Sequence, residues 1–206
     1  GKGENGEIGI AILKDESSNV LAGISLCFPS GECVFICCEG FLTERYLKGK
    51  MASLAQQGSF SCGNIKNAYD FLDCNETERF FDVILASYLL NPLKNDYSMA
   101  DIANEHLGLM IPEPSQSFGK TPLLKAMKDS PKEFMEYACF LAYVSMASAP
   151  VLREKLKEAG MLELMEKIEM PLTFVLYDME REGILVKPEE LKAYGAALTG
   201  RIAELE

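Results

Sequence analysis

The chain has 206 residues, 48% hydrophobic and 25% charged, with 31 acidic against 20 basic side chains and a formal charge of −11. That length suits one good-sized domain, or one domain and part of another, burying roughly 70% of the unfolded surface, and the composition excludes wholesale disorder. The acidic excess, carried both before and after Gly160, argues against tight independent binding of nucleic acid.

The start, Gly1-Lys2-Gly3-Glu4-Asn5-Gly6, is polar and is no signal peptide. No apolar run approaches the ~20 residues of a membrane span, so no membrane partner is expected. Residues 8–13, Ile-Gly-Ile-Ala-Ile-Leu, form a short β-rich run. A polar turn over 15–19 leads to a second strand at 21–28. Pro29-Ser30-Gly31-Glu32 is a hairpin turn, and 33–38 (Cys-Val-Phe-Ile-Cys-Cys) is a third strand. Three strands at this spacing predict an antiparallel meander.

Helical signals come next. Thr43 caps a helix to about Gln57, with Gly58 as its stop. Residues 60–62 read as a fourth strand and 64–72 as a helix. Residues 81–90 predict a buried helix with Asp82 as N-cap and Pro92 beyond its end. Ser98-Met99-Ala100-Asp101 resembles a capping box, with Asp in place of Glu, opening a helix that stops at Gly108. Residues 109–129, with Pro112, Pro114 and Pro122, read as a long loop. Ser130-Pro131-Lys132-Glu133 then starts a helix running as far as Ala159, with Pro150 kinking or splitting it and Gly160 ending it. Two amphipathic helices, 161–182 and 188–206, are joined by Gly183-Ile184-Leu185-Val186. The last pattern reaches Glu206 without a stop signal, which reads as a cut chain. The predicted class is α/β: a meander sheet, packed helices and a helical extension.

Seven cysteines form no Cys-x-x-Cys, and Cys27, Cys33, Cys37 and Cys38 lie in apolar stretches. They read as small buried hydrophobes in a reducing, cytoplasmic compartment, not as a zinc site or a disulfide framework. The single histidine, His106, leaves little room for Ser-His-Asp or Cys-His catalysis. Near a helix end its partial positive charge suits the dipole. No phosphate-binding glycine loop occurs. Strand order alone, however, is that of ribonuclease H-like folds, which gather carboxylates around two metal ions.

Several segments resemble family A bacterial DNA polymerase I. Residues 168–172 (Ile-Glu-Met-Pro-Leu), continuing through Met179-Glu180-Arg181-Glu182-Gly183 to Pro188, are similar to the start of its polymerase domain. Residues 81–91 resemble its Phe-Asp-x-x-x-x-x-Tyr-x-Leu segment in the 3′–5′ exonuclease domain. Gly63-Asn64-Ile65-Lys66 is similar to its Asn-Leu-Lys-Tyr-Asp stretch, and residues 137–141 to its Tyr-Ala-x-x-Asp motif. The resemblance runs from about Ile8 to Glu206 and implies a ribonuclease H-like (3′–5′ exonuclease) domain over 1–158 and the first helices of a polymerase domain over 159–206.

The departures bear on function. The family's Asp-x-Glu on the first strand has no counterpart among Ile8, Gly9, Ile10, Ala11, Ile12 and Leu13. Its second aspartate falls on Ala68 and its third on Leu141; Tyr137, which in the family orients the attacking water, remains without its partner. Two divalent ions about 3.5–4 Å apart need several carboxylates against their mutual repulsion. Asp70 is turned roughly 200° from Ala68 on a helix; Asp15 and Glu16 read as solvated turn residues, and Asp82 as a cap. Glu39, Glu44 and Arg45 flank a helix start as surface charges. Lys120, Lys125, Lys128 and Lys132 form a solvated basic run, and Phe134, Tyr137, Leu141 and Val144 form core.

The resulting expectation is an inactive exonuclease-like platform for the polymerase part of the same chain, with no catalytic, cofactor or metal residues of its own. DNA binding by this stretch is weak or none. The parent enzyme, by resemblance, is a DNA-directed DNA polymerase of replication and repair that engages DNA and uses Mg²⁺. The alternatives are a working 3′–5′ exonuclease with relocated carboxylates and an acidic protein-interaction module.

Overall fold

Five short apolar runs separated by helices build one sheet. In this computed structural model the described residues are 6–15, 18–72 and 77–205, so Glu16 and residues 1–5 lie outside them. Strands β1 (Ile8–Asp15), β2 (Val20–Cys27) and β3 (Cys33–Cys37) pair antiparallel in chain order. Strand β4 (Phe60–Cys62) adds to the other side of β1 in parallel, and β5 (Phe80–Asp82) adds in parallel to β4, giving the order β3-β2-β1-β4-β5.

Helix α1 (Glu44–Ala55) starts at Thr43, whose side chain accepts from the Tyr46 N–H at 3.3 Å. Helix α2 (Lys66–Leu72) comes after β4. The segment read as helix from residue 81 is divided: Phe80 and Phe81 are buried in β5, and α3 (Val83–Leu90) begins only after Asp82. Three residues are too few for strand alternation to register in sequence, so the helical period of residues 83–90 dominates. Helix α4 (Met99–Ile102) continues as a π turn over Ala103–Leu107 and stops at Gly108, where φ is 67°. Ser98 accepts from the Asp101 N–H, but Asp101 turns to Lys94 at 3.3 Å, so only half of a capping box forms.

The long loop is a correction. It holds two short helices, α5 (Pro114–Ser117) and α6 (Leu123–Asp129), because Leu123, Leu124 and Met127 pack inward against Phe134 and Ala138. Ser130 separates α6 from α7 (Pro131–Glu158) by one residue. It ends one helix and precedes the other, and its hydroxyl caps neither. Helix α7 continues through Pro150, which is exposed, without a break. By length and composition α7 is apolar enough to cross a membrane, although no unbroken apolar run marks it in the sequence. Its buried residues, Phe134, Ala138, Ala142, Val144, Leu152 and Leu156 among them, are engaged with the rest of the fold.

Alternate residues of β1 set the layers. Ala11 and Leu13 join the N-terminal half of α7 and α6, whereas Ile8, Ile10 and Ile12 join the larger core with Leu47, Met51, Ala68 and Phe71 of α1 and α2. Helix α7 crosses β1 so closely at Gly9 that a Cβ there would sit 1.9 Å from the Ala142 carbonyl oxygen. Only glycine permits that approach. Beyond Gly160 come α8 (Leu162–Leu164), a π turn over Met165–Glu169, α9 (Met170–Glu182) and α10 (Pro188–Leu205).

Candidate functional site

The positions that the resemblance aligns with metal-ligand carboxylates border β1 from both sides. Ala68, on α2, is 2% exposed and packs in the larger core. Leu141 and Tyr137, one turn apart on α7, belong to the smaller cluster with Leu13, Phe118 and Phe134. The Tyr137 ring meets Phe118 edge-on at 5.7 Å, and burial with the nearby Glu113 carboxylate pushes its hydroxyl up to about 12. The sheet thus divides Ala68 from Leu141 into separate apolar clusters, and neither side chain offers an oxygen. Among the described residues no three His, Cys, Asp or Glu side chains are grouped to hold a metal ion. The residues at these positions do not fit Mg²⁺.

The nearby carboxylates are employed elsewhere. Asp15, read from sequence as a solvated turn residue, is buried at 4%. Its Oδ2 accepts from the Ser18 N–H at 3.1 Å and Ser18 Oγ at 2.8 Å, and its Oδ1 accepts from the Leu123 N–H at 2.9 Å. This carboxylate ties the start of α6 to the end of β1. The long loop hid the partner, since no local spacing relates Asp15 to Leu123.

Asp82 caps α3, as its sequence position indicates, through the Ile84 and Leu85 N–H groups at 2.9 and 3.1 Å. It also accepts from the Asn64 and Ile65 N–H groups at 3.3 and 2.7 Å, joining the turn after β4 to the start of α3. Burial pushes its carboxyl up, while the four N–H groups pull the other way. Asp70 points away from Ala68, toward Tyr177 of α9 and Lys14 at 3.6 Å.

Around Asp70 the chain builds a contact that the sequence reading missed. Tyr69 meets Phe80, Phe174 and Tyr177 edge-on at 6.4, 5.4 and 5.4 Å, and its hydroxyl is 2.7 Å from Thr173 Oγ1. Lys66 pairs with Glu180 alongside. The i, i+3, i+4 set Phe174, Tyr177 and Met170 was the available signal. His106 is also corrected: Lys155 Nζ lies 2.9 Å from its Nδ1, and burial followed by the Lys155 charge pushes its pKa down, so the ring there is a neutral acceptor.

Arg153 stacks on Phe81 at 4.0 Å and reaches Glu7 at 2.9 Å and Glu166 at 3.3 Å. Lys120, Lys125, Lys128 and Lys132 are exposed on α6 and its flanks. Glu44 pairs with Lys48 at 3.0 Å on α1, and Arg45 lines the same shallow surface as Tyr46 and Lys50.

No protein-family model matches the chain. It is 40% identical over 111 residues to DNA polymerase I of Streptococcus pneumoniae, covering 54% of this chain and 12% of that protein. It is 32% identical over 127 residues to DNA polymerase I of Bacillus subtilis, covering 61% and 14%. The matched stretches are thus a small fraction of those relatives' length. In fold it is similar to the POL domain of Pol1 from M. smegmatis in complex with DNA primer-template and dNTP. The TM-score is 0.72 at 16% identity, over 98% of this chain and 33% of that one. It is also similar to NrnC of Brucella melitensis bound to pGG, with a TM-score of 0.63 at 13% identity over 91% and 92%. The fold is a mixed α/β architecture shared with these solved structures, and by sequence the chain is related to family A bacterial DNA polymerase I.

Proposed function

We propose that residues 1–158 are a 3′–5′ exonuclease-like domain of ribonuclease H-like fold that no longer cleaves DNA, and that residues 159–206 open a polymerase domain. In this reading the first part is a platform on which the rest of the same chain packs, within a cytoplasmic DNA polymerase I. DNA, Mg²⁺ and nucleotidyl transfer belong to the parent enzyme and not to this stretch. The observation that carries the reading is the employment of the acids. Asp15, Asp70 and Asp82 are each held by hydrogen bonds unrelated to metal binding, while Ala68 and Leu141, which the resemblance aligns with the family's carboxylates, pack in apolar clusters. Helix α10 adds support: Leu191, Tyr194, Leu198, Ile202 and Leu205 form an exposed apolar stripe at helical spacing, which suits cover by a further part of a longer chain.

One measurement on the full-length protein tests this: incubation of 3′-mismatched and single-stranded labelled DNA with Mg²⁺ or Mn²⁺, without nucleotides. The expected result is no shortening from the 3′ end beyond that of a metal-free control. Metal-dependent 3′–5′ cleavage that is lost in Asp15→Asn or Asp82→Asn, with folding retained, would overturn the proposal in favour of an exonuclease with relocated carboxylates.

A further inference from the structure

The β2–β3 hairpin turns through Pro29, Ser30 and Gly31, with Gly31 at a φ of 85°. Gly31 N–H donates to the Phe28 carbonyl at 2.8 Å and Phe28 N–H to the Glu32 carbonyl at 2.9 Å, the pattern of a turn closed by a glycine bulge. The next pair outward is Cys27 opposite Cys33. Since Phe28 and Glu32 take the hydrogen-bonded position, Cys27 and Cys33 take the non-hydrogen-bonded one. Cross-strand neighbours of that kind have Cα atoms about 4.5 Å apart and side chains on the same face. That separation falls inside the roughly 4.4–6.8 Å window in which a disulfide closes without backbone movement.

The two thiols differ in what reaches them. Cys27 is fully buried, and burial, followed by the adjacent Cys33 thiol, pushes it up to about 12. Cys33 is partly exposed at the hairpin's end. Cys139 of α7 is a further half-buried thiol on this side of the sheet, close enough to influence both. All six cysteines among the described residues are free.

We propose that Cys27 and Cys33 form a reversible cross-strand disulfide when a low-molecular-weight disulfide reaches Cys33. The Cys33 thiolate attacks one sulfur of the incoming disulfide and expels a first thiolate. The Cys27 sulfur then attacks Cys33 in the mixed disulfide and expels the second thiolate, which takes up the Cys27 proton as it leaves. Two protein thiols are oxidised and one small disulfide is reduced to two thiols. The bond staples the edge strand β3 to β2 with the existing register, so the sheet does not rearrange. The partly exposed Cys33 sets access, and Cys27, fully buried, reacts only with the sulfur already brought to its neighbour.

The test is non-reducing peptide mapping of the full-length protein after incubation with oxidised glutathione. Cleavage at glutamates after Glu16, Glu32 and Glu39 puts Cys27 in 17–32 and Cys33 in 33–39, so a bond between them holds two peptides together. The expected result is that linked pair, a loss of two hydrogens from the intact mass without retained glutathione, and separation by dithiothreitol. Cys37→Ser and Cys38→Ser should leave the link, and Cys33→Ser, which alters a partly exposed residue, should abolish it with the circular dichroism unchanged. A link from 33–39 to the Cys139 peptide, a link surviving in Cys33→Ser, or stable glutathione adducts without a link would overturn the proposal.

Discussion

Tyr177 of α9 donates its hydroxyl to the carboxylate of Asp70 on α2, joining residues 107 positions apart. Burial alone would raise Asp70, but the Tyr177 hydrogen bond and the Lys14, Lys48 and Arg181 charges outweigh it and hold the carboxyl below its ordinary 3.8. A carboxyl lowered on folding contributes stability above its ordinary value, and the contribution is lost as pH falls through the lowered value. Asp70 is 37% exposed in its side chain, so solvent screening keeps the ionic part small. Tyr177→Phe is expected to lose about 1 kcal/mol at neutral pH. The gap from wild type should narrow below pH 3.8, as followed by urea unfolding across that range; a gap independent of pH would show that the pair does not titrate.

Gly9 lets α7 lie directly on β1, because a Cβ would fall 1.9 Å from the Ala142 carbonyl and 2.8 Å from the Met146 Cβ. Backbone atoms cannot swing aside as a side-chain tip can. Gly9→Ala is therefore expected to destabilise by about 3 kcal/mol, even though alanine is a better strand residue than glycine. Equilibrium urea denaturation reads this directly, and a neutral substitution would mean that α7 does not cross β1 at this point.

Asp82 supplies one acceptor to each of four backbone N–H groups from two segments, Asn64 with Ile65 and Ile84 with Leu85. Removing it strands the buried Ile65 N–H and leaves the part-buried donors of Asn64, Ile84 and Leu85 to compete for water. Asp82→Ala should lose about 2–4 kcal/mol, combining a lost cap with one buried unpaired N–H group, that of Ile65. Asp82→Asn keeps one oxygen and should lose less. Hydrogen exchange adds a spatial readout: the Ile65 amide, in the other segment, should lose protection together with those of Ile84 and Leu85.

Placing a single carboxylate at position 68 is not expected to create a metal site. At position 68 the side chain is 2% exposed and surrounded by core, so Ala68→Asp places an unpaired charge in an apolar environment. The expected outcome is a loss of several kcal/mol and no gain in metal-dependent cleavage, checked by thermal denaturation beside the nuclease assay. A stable Ala68→Asp protein with a new Mn²⁺ isotherm would mean that a cleft persists there.

The meander was legible because β1, β2 and β3 are long enough to show composition and are bounded by turn residues; the Pro29–Glu32 hairpin needs only local chemistry. Helix starts at Thr43 and Asp82 were legible for the same reason, since a cap is read three residues away. What failed was non-local. Three-residue β5 carries no period of its own. The segment 109–129, rich in proline, looked structureless until Leu123 and Met127 found Phe134. Asp15 looked solvated because its partner, the Leu123 N–H, is 108 residues on. At the candidate site the apolar character of Ala68 and Leu141 is plain in sequence, but their separation into two clusters on either side of β1 depends on the sheet.

The aromatic contact of Tyr69 with Phe174 and Tyr177 also redraws where the chain can be divided. A cut after Glu158 would respect the motif boundary, yet it would strip α9 from Tyr69 and Phe80 and leave those rings facing water. The linker after α9 is the natural seam, with Ile184 and Leu185 89% and 98% exposed and α10 burying none of its residues. A protease would find that seam first. The smallest piece that keeps its surfaces matched therefore ends near Glu182, beyond the division at 158 that the sequence alone suggests.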